Sequence, residues 1–150
     1  TYVGNIPQKF KFNNTDVIEP QHDENLSKIL KSNHVYLTAS INEPGGNHQN
    51  EGGMCGLPIL YRNSGSMDEY CNGYGVGFDG EKDLEISIKK IIKNYSKLKL
   101  NMKNFDRNIE KTIKAYVQLF EFLKNNKETI VNKRKLLRNP FKILINILIN

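Results

Sequence analysis

A chain of 150 residues, 38% hydrophobic and 25% charged, is about one domain's worth of ordinary globular sequence and long enough to bury a core. The net charge of +6 admits an anionic partner, but much of the excess falls in the C-terminal third and little aromatic residue is interleaved with it, which argues against nucleic acid. Cys55 and Cys71 stand in no CxxC pattern, which argues against a zinc site or redox dithiol and for two reduced thiols in a cytoplasmic protein.

Taken in order, "TYVGNI" (1–6) is rich in β-formers and closes at Pro7, so a strand is expected. It opens in the middle of the strand pattern, as a piece of a longer protein would. "TDVIEP" (15–20) predicts a second, shorter strand. "HDENLSKILK" (22–31) has acids first, apolar residues at Leu26, Ile29 and Leu30, and lysine last: a short amphipathic helix with favourable dipole pairing. "HVYLTAS" (34–40) reads as a buried strand. A Pro-Gly-Gly hinge then leads into a helix over 47–56, where Gly52 and Gly53 each cost about 1 kcal/mol of propensity against alanine.

"LPILY" (57–61) is the next strand, and "SGSMDEYC" (64–71) suits a short helix started by Ser64 or Ser66. "GYGVGF" (73–78) is the last strand. Strands alternating with helices at this spacing predict an α/β protein with a parallel sheet wrapped by helices. After Gly80 come two helical stripes. One runs over 81–98 with Leu84, Ile88, Ile91, Ile92 and Tyr95. The stronger one runs over 104–126 with Ile109, Ile113, Tyr116, Val117, Phe120 and Leu123, and is expected to be core, in contact with the sheet or with a missing domain.

The tail, residues 125–150, is basic and then apolar and is read as a separate helical segment beyond the domain of residues 1–124. Two readings stand for it: an amphipathic contact with an anionic membrane surface, or a helix docking on another domain. No apolar run is long enough to span a bilayer, and nothing reads as a signal peptide.

The chemistry gathers in "INEPGGNHQNEGGMCGLPILY" (41–61). Pro44 keeps Glu43 out of a helix, so Glu43 sits on the loop leaving the strand, while Glu51 falls about one turn inside the following helix. Between them lies a helix start preceded by bare glycines, at the carboxyl end of a parallel strand, where α/β sheets place ligands. Carboxylates accept strong hydrogen bonds from diols, and helix starts favour phosphate. A nucleoside diphosphate sugar offers ribose, diphosphate and hexose in that order. A glycoside hydrolase using Glu43 and Glu51 as its carboxylate pair, and a non-catalytic sugar-nucleotide module, stay open beside it.

The stretches "VYLTAS", "EPGGNHQNEGGMCGLPILY" and "SGSMDEYCNGYGVGF" resemble the donor-binding, C-terminal half of GT-B glycosyltransferases, and within these glycosyltransferase family 4 and the glycogen and starch synthases. The shared pattern is Glu-x7-Glu after a strand, a Gly-x-Pro turn into the next strand, and a Gly/Ser loop ending in Glu69. It covers residues 1–123. The resemblance implies a Rossmann-like sheet, truncated at its N-terminus, and sugar transfer from a nucleoside diphosphate sugar with retention of configuration and no obligatory metal or cofactor. It implies Glu43 as the catalytic residue against the donor sugar and Glu51 on the ribose. Gly45, Gly46, Asn47 and His48 would bind the remainder of the donor. The acceptor would be a glycan or a lipid-linked glycan.

A GT-B N-terminal domain would be the partner, and the enzyme would be cytoplasmic, either free or peripheral on the inner face of the membrane. Two departures are visible: Asn47, His48, Gln49 and Asn50 are polar where the family is often apolar, and the basic pair that clamps the diphosphate would lie upstream of Thr1. The chain alone is therefore expected to be inactive.

Overall fold

The structure is a computed structural model and describes residues 1–134. The chain divides into two compact units, one spanning Thr1–Asn108 and a second beginning at Ile109. The first is α/β. Its strands are β1 (Tyr2–Val3), β2 (Val17–Ile18), β3 (Tyr36–Thr38), β4 (Ile59–Arg62) and β5 (Gly75–Phe78). Its helices are α1 (Asp23–Lys31), α2 (His48–Met54), α3 (Met67–Cys71), α4 (Glu81–Lys93) and α5 (Tyr95–Asn101), followed by a 3-10 turn at Met102–Asn104. The second unit holds α6 (Ile109–Asn125) and α7 (Lys127–Lys133).

Every strand pairing is parallel, in two separate sheets. β1 pairs with β2, and β3, β4 and β5 pair in that order with Tyr36 opposite Ile59 and Ile59 opposite Gly75. The central strand β4 shows why "LPILY" is an unbroken apolar run. Ile59 and Tyr61 point to one face, into a cluster with Met67, Cys71, Met102 and Phe105. Leu60 points to the other, toward Phe78, Ile91 and Leu98. A parallel strand covered by helices on both faces needs apolar residues at every position. Each such fully buried side chain stabilises the fold by about 1.5–3 kcal/mol.

Element ends differ from expectation for local reasons. The first strand is two residues long, because Gly4 turns the backbone to φ +142° and Pro7 follows. The helix expected over 81–98 breaks at Asn94, whose side-chain Nδ2 donates to the Lys90 carbonyl at 2.8 Å beside its own backbone N–H at 3.1 Å. At the end of α2 the Leu57 N–H donates to Gly52 O at 3.1 Å and the Gly56 N–H to Gly53 O at 2.8 Å. This is a Schellman stop that needs the left-handed φ of +78° at Gly56, and it is what the Gly-Leu-Pro turn does here.

No residue of α6 is buried, so the stripe with Ile113, Val117 and Phe120 forms no core with the described residues of this chain. The apolar half of the tail, for which a membrane contact or docking helix was expected, lies outside the described residues. Among those described, no helix is long and apolar enough to cross a membrane.

Candidate functional site

The hinge after β3 is held by the loop after β4. Asn42, at a left-handed φ of 55°, donates its N–H to Ser64 Oγ at 2.8 Å. The Ser66 N–H and Oγ both donate to the Glu43 carbonyl, at 2.9 and 3.0 Å. The helix expected to start at Ser64 or Ser66 does start at Ser66, which occupies the cap position of α3 but makes no side-chain cap bond and donates its hydroxyl to the hinge instead. Gly65 lets the two loops touch: a methyl there would stand 2.3 Å from the Glu43 carbonyl oxygen, and its φ is +62°.

With its backbone fixed, Glu43 directs its carboxylate back onto the hinge. Oε1 accepts the Gly45 N–H at 3.4 Å, and Oε2 lies 3.7 Å from His48 Nε2. Both side chains are partly screened, at 22% and 31% exposure. The other imidazole nitrogen, Nδ1, is 3.3 Å from the Tyr36 hydroxyl, and Nε2 is also 3.5 Å from Ser40 Oγ. Tyr36 in turn shares a cavity of about 570 Å³ with His48 and Glu51. Burial first, and then the nearby Glu51 charge, pushes the Tyr36 phenol up to about 12. It is a neutral hydrogen-bonding group throughout the physiological range.

His48 contacts Glu43 directly, and it lines the same cavity as Glu51. Gly46 permits this approach, since a methyl on it would stand 2.9 Å from both the Glu43 carboxyl carbon and His48 Cδ2. Gly45 and Asn47 are exposed, and neither they nor Gly46 line the cavity. Asn47 sits at the cap position of α2 without a side-chain cap bond. Sequence reasoning missed Tyr36 and Ser40. The signal that could have found Tyr36 is a tyrosine inside a buried-strand pattern, since a buried phenol needs a partner.

Ser40, His48 and Glu43 do not form a hydrolase relay, which would require the carboxylate and the hydroxyl on opposite imidazole nitrogens, whereas here both face Nε2. Among the described residues no group of three or more His, Cys, Asp and Glu side chains could hold a metal ion. Glu51, His48 and Tyr36 line the cavity, while Glu43 touches His48 from outside its lining; carboxylate, imidazole and phenol together are groups suited to a polyhydroxy ligand. Compared with known proteins, the chain matches no family model, no curated protein and no solved structure.

Proposed function

We propose that this chain is the donor-binding half of a retaining GT-B glycosyltransferase with a Rossmann-like sheet, using a nucleoside diphosphate sugar. The observation that carries the reading is that His48, in the segment that leaves β3, lies 3.7 Å from the Glu43 carboxylate and lines the same cavity as Glu51. Ligands of parallel α/β sheets lie at such carboxyl ends. Glu51, inside the cavity, takes the ribose diol. Glu43 takes hydroxyls of the donor sugar and stabilises the positive charge that builds on the sugar ring as its bond to the diphosphate breaks. The diphosphate lies between them, over residues 46–48, with His48 as a donor to it. An acceptor hydroxyl from a glycan or lipid-linked glycan completes the transfer, delivered by an N-terminal GT-B domain at the inner membrane face or in the cytoplasm.

Titration of the isotopically labelled chain with nucleoside diphosphates tests this. The amides of Gly46, His48 and Glu51 are expected to shift together with a Kd of about 1 mM, some −4 kcal/mol, and Glu51→Ala to abolish the response. No shift at those three amides would overturn the donor-site reading.

A further inference from the structure

In the second unit, the helical repeat sorts the residues of α6 onto two sides. Ile109, Ile113, Tyr116, Val117, Phe120 and Leu123 fall within one arc, with Lys111, Lys114, Gln118 and Glu121 opposite. All six apolar side chains are exposed, from 39% at Leu123 to 74% at Ile109. Helices in proteins owe most of their stability to packing of such a face, so α6 lacks the partner its pattern calls for. Monomeric proteins seldom leave a contiguous apolar patch of more than a few hundred Å² in water. At about 200 Å² per aromatic side chain and about 100 Å² per aliphatic one, this face exposes on the order of 500 Å². Two such faces pressed together remove on the order of 1,000 Å² from water before their polar edges are counted, the size a specific dimer needs.

The charges beside the arc select the occupant. Its Val117 edge is bordered by Glu110 and Lys124, with Lys114 and Glu121 just beyond. Acids and bases are mixed there, whereas an anionic lipid surface favours a basic border. About Val117 the sequence is instead self-complementary. Glu110 lies seven residues before it and Lys124 seven after, while Lys114 lies three before and Glu121 four after. When two helices pair antiparallel about a two-fold axis, each edge meets the same edge of the other copy at mirrored heights. Glu110 then stands across from Lys124 of the partner subunit, and Lys114 across from Glu121 of the partner subunit. A parallel pair would set this edge against the Leu119 edge, which carries no acid to answer Lys124. Among the described residues, none of these four charged groups makes an ion pair within its own chain.

We propose that α6 is a homodimer interface, in which two copies of this chain pair antiparallel through their α6 helices about a two-fold axis at Val117. Tyr116 and Phe120, whose rings already lie 6.1 Å apart as one apolar ridge, sit next to that axis. Aromatic side chains at the centre of an interface carry most of its energy. The proposal concerns the second unit alone and holds whatever ligand the site at His48 takes.

Sedimentation equilibrium of the full chain tests it. A species of twice the 17.3 kDa monomer mass is expected to dominate at about 100 μM chain. Val117→Lys sets two like charges together at the axis and should leave a monomer. Glu110→Lys, at an exposed edge, should raise the dimer Kd about tenfold. Adding Lys124→Glu to that variant should restore the parent Kd, because the swapped charges meet again in the antiparallel pair and in no parallel one. A chain that stays monomeric at this concentration overturns the interface, as does a dimer that survives Val117→Lys. A double variant as weak as Glu110→Lys alone overturns the antiparallel pairing. Flotation of a monomeric chain with phosphatidylglycerol vesicles would make a lipid surface the occupant and overturn the proposal as well.

Discussion

Gly46 leaves room for a hydrogen atom and little else between Glu43 and His48. Replacing it by alanine inserts a methyl at 2.9 Å from both, and overpacking of this kind costs about 1–3 kcal/mol or forces the side chains apart. Because both side chains are partly exposed they can move, so Gly46→Ala is expected to leave the chain folded while shifting the His48 ring resonances and weakening nucleoside diphosphate binding about tenfold, equal to about 1.4 kcal/mol. Unmoved ring resonances would show that the glycine is not what lets the pair meet. Gln49, the next residue, presents the opposite problem. It is fully buried and neither amide atom has a hydrogen-bond partner. An unpaired buried amide costs about 1–3 kcal/mol, so Gln49→Met, which keeps the shape, should raise the urea midpoint by a stability gain of about that size. A lower midpoint would show that the amide is engaged in the folded protein.

At the scale of elements, α2 explains its own poor composition. Its glycines were legible as a propensity cost, but their reason was not, because it lies in residues far along the chain. The ring of Tyr36 lies over Gly52, and the ring of Phe105 lies over Gly53, where a methyl would stand 2.4 Å from Cζ. The helix is thin so that aromatic rings can close on it from both β3 and the segment after α5. Gly53→Ala gains about 1 kcal/mol of helix propensity but drives a methyl into Phe105, a core side chain. The net expectation is a loss of about 1–2 kcal/mol, read as a lower urea midpoint with unchanged slope. Stabilisation would show that the ring has room to retreat. The same limit governed the rest of the sequence reading. Strand-and-helix alternation, the buried run of β4 and the placing of Glu43 and Glu51 on loop and helix follow from local pattern. The use of Ser64 and Ser66 as hinge staples, the break at Asn94 and the part of Tyr36 depend on partners the local pattern does not name.

Across the whole first unit, the burial that builds the two-faced sheet also fixes how stability responds to alkali. Cys71 is completely buried in the cluster around Ile59 and Met67. Burial, reinforced by Asp68 and opposed by Arg107, raises its thiol from 9.0 to about 11. Tyr36 is raised from 10.0 to about 12, and Tyr61 is raised too, by burial and by its hydrogen bond to Asp68 at 2.8 Å. In each case the folded protein keeps a proton that the unfolded chain releases. The sign follows: this stability is fully present below the ordinary thiol value and declines as pH rises, first through the Cys71 window from 9.0 to about 11 and then through that of Tyr36. A shift of that size is worth up to about 3 kcal/mol for Cys71. Urea midpoints should therefore be level from about pH 6 to 8 and fall above about 9, and Cys71→Ala should start lower, for its lost packing, but fall less between about pH 9 and 10. If the variant falls as steeply as the parent, the thiol is not the group that couples this core to pH.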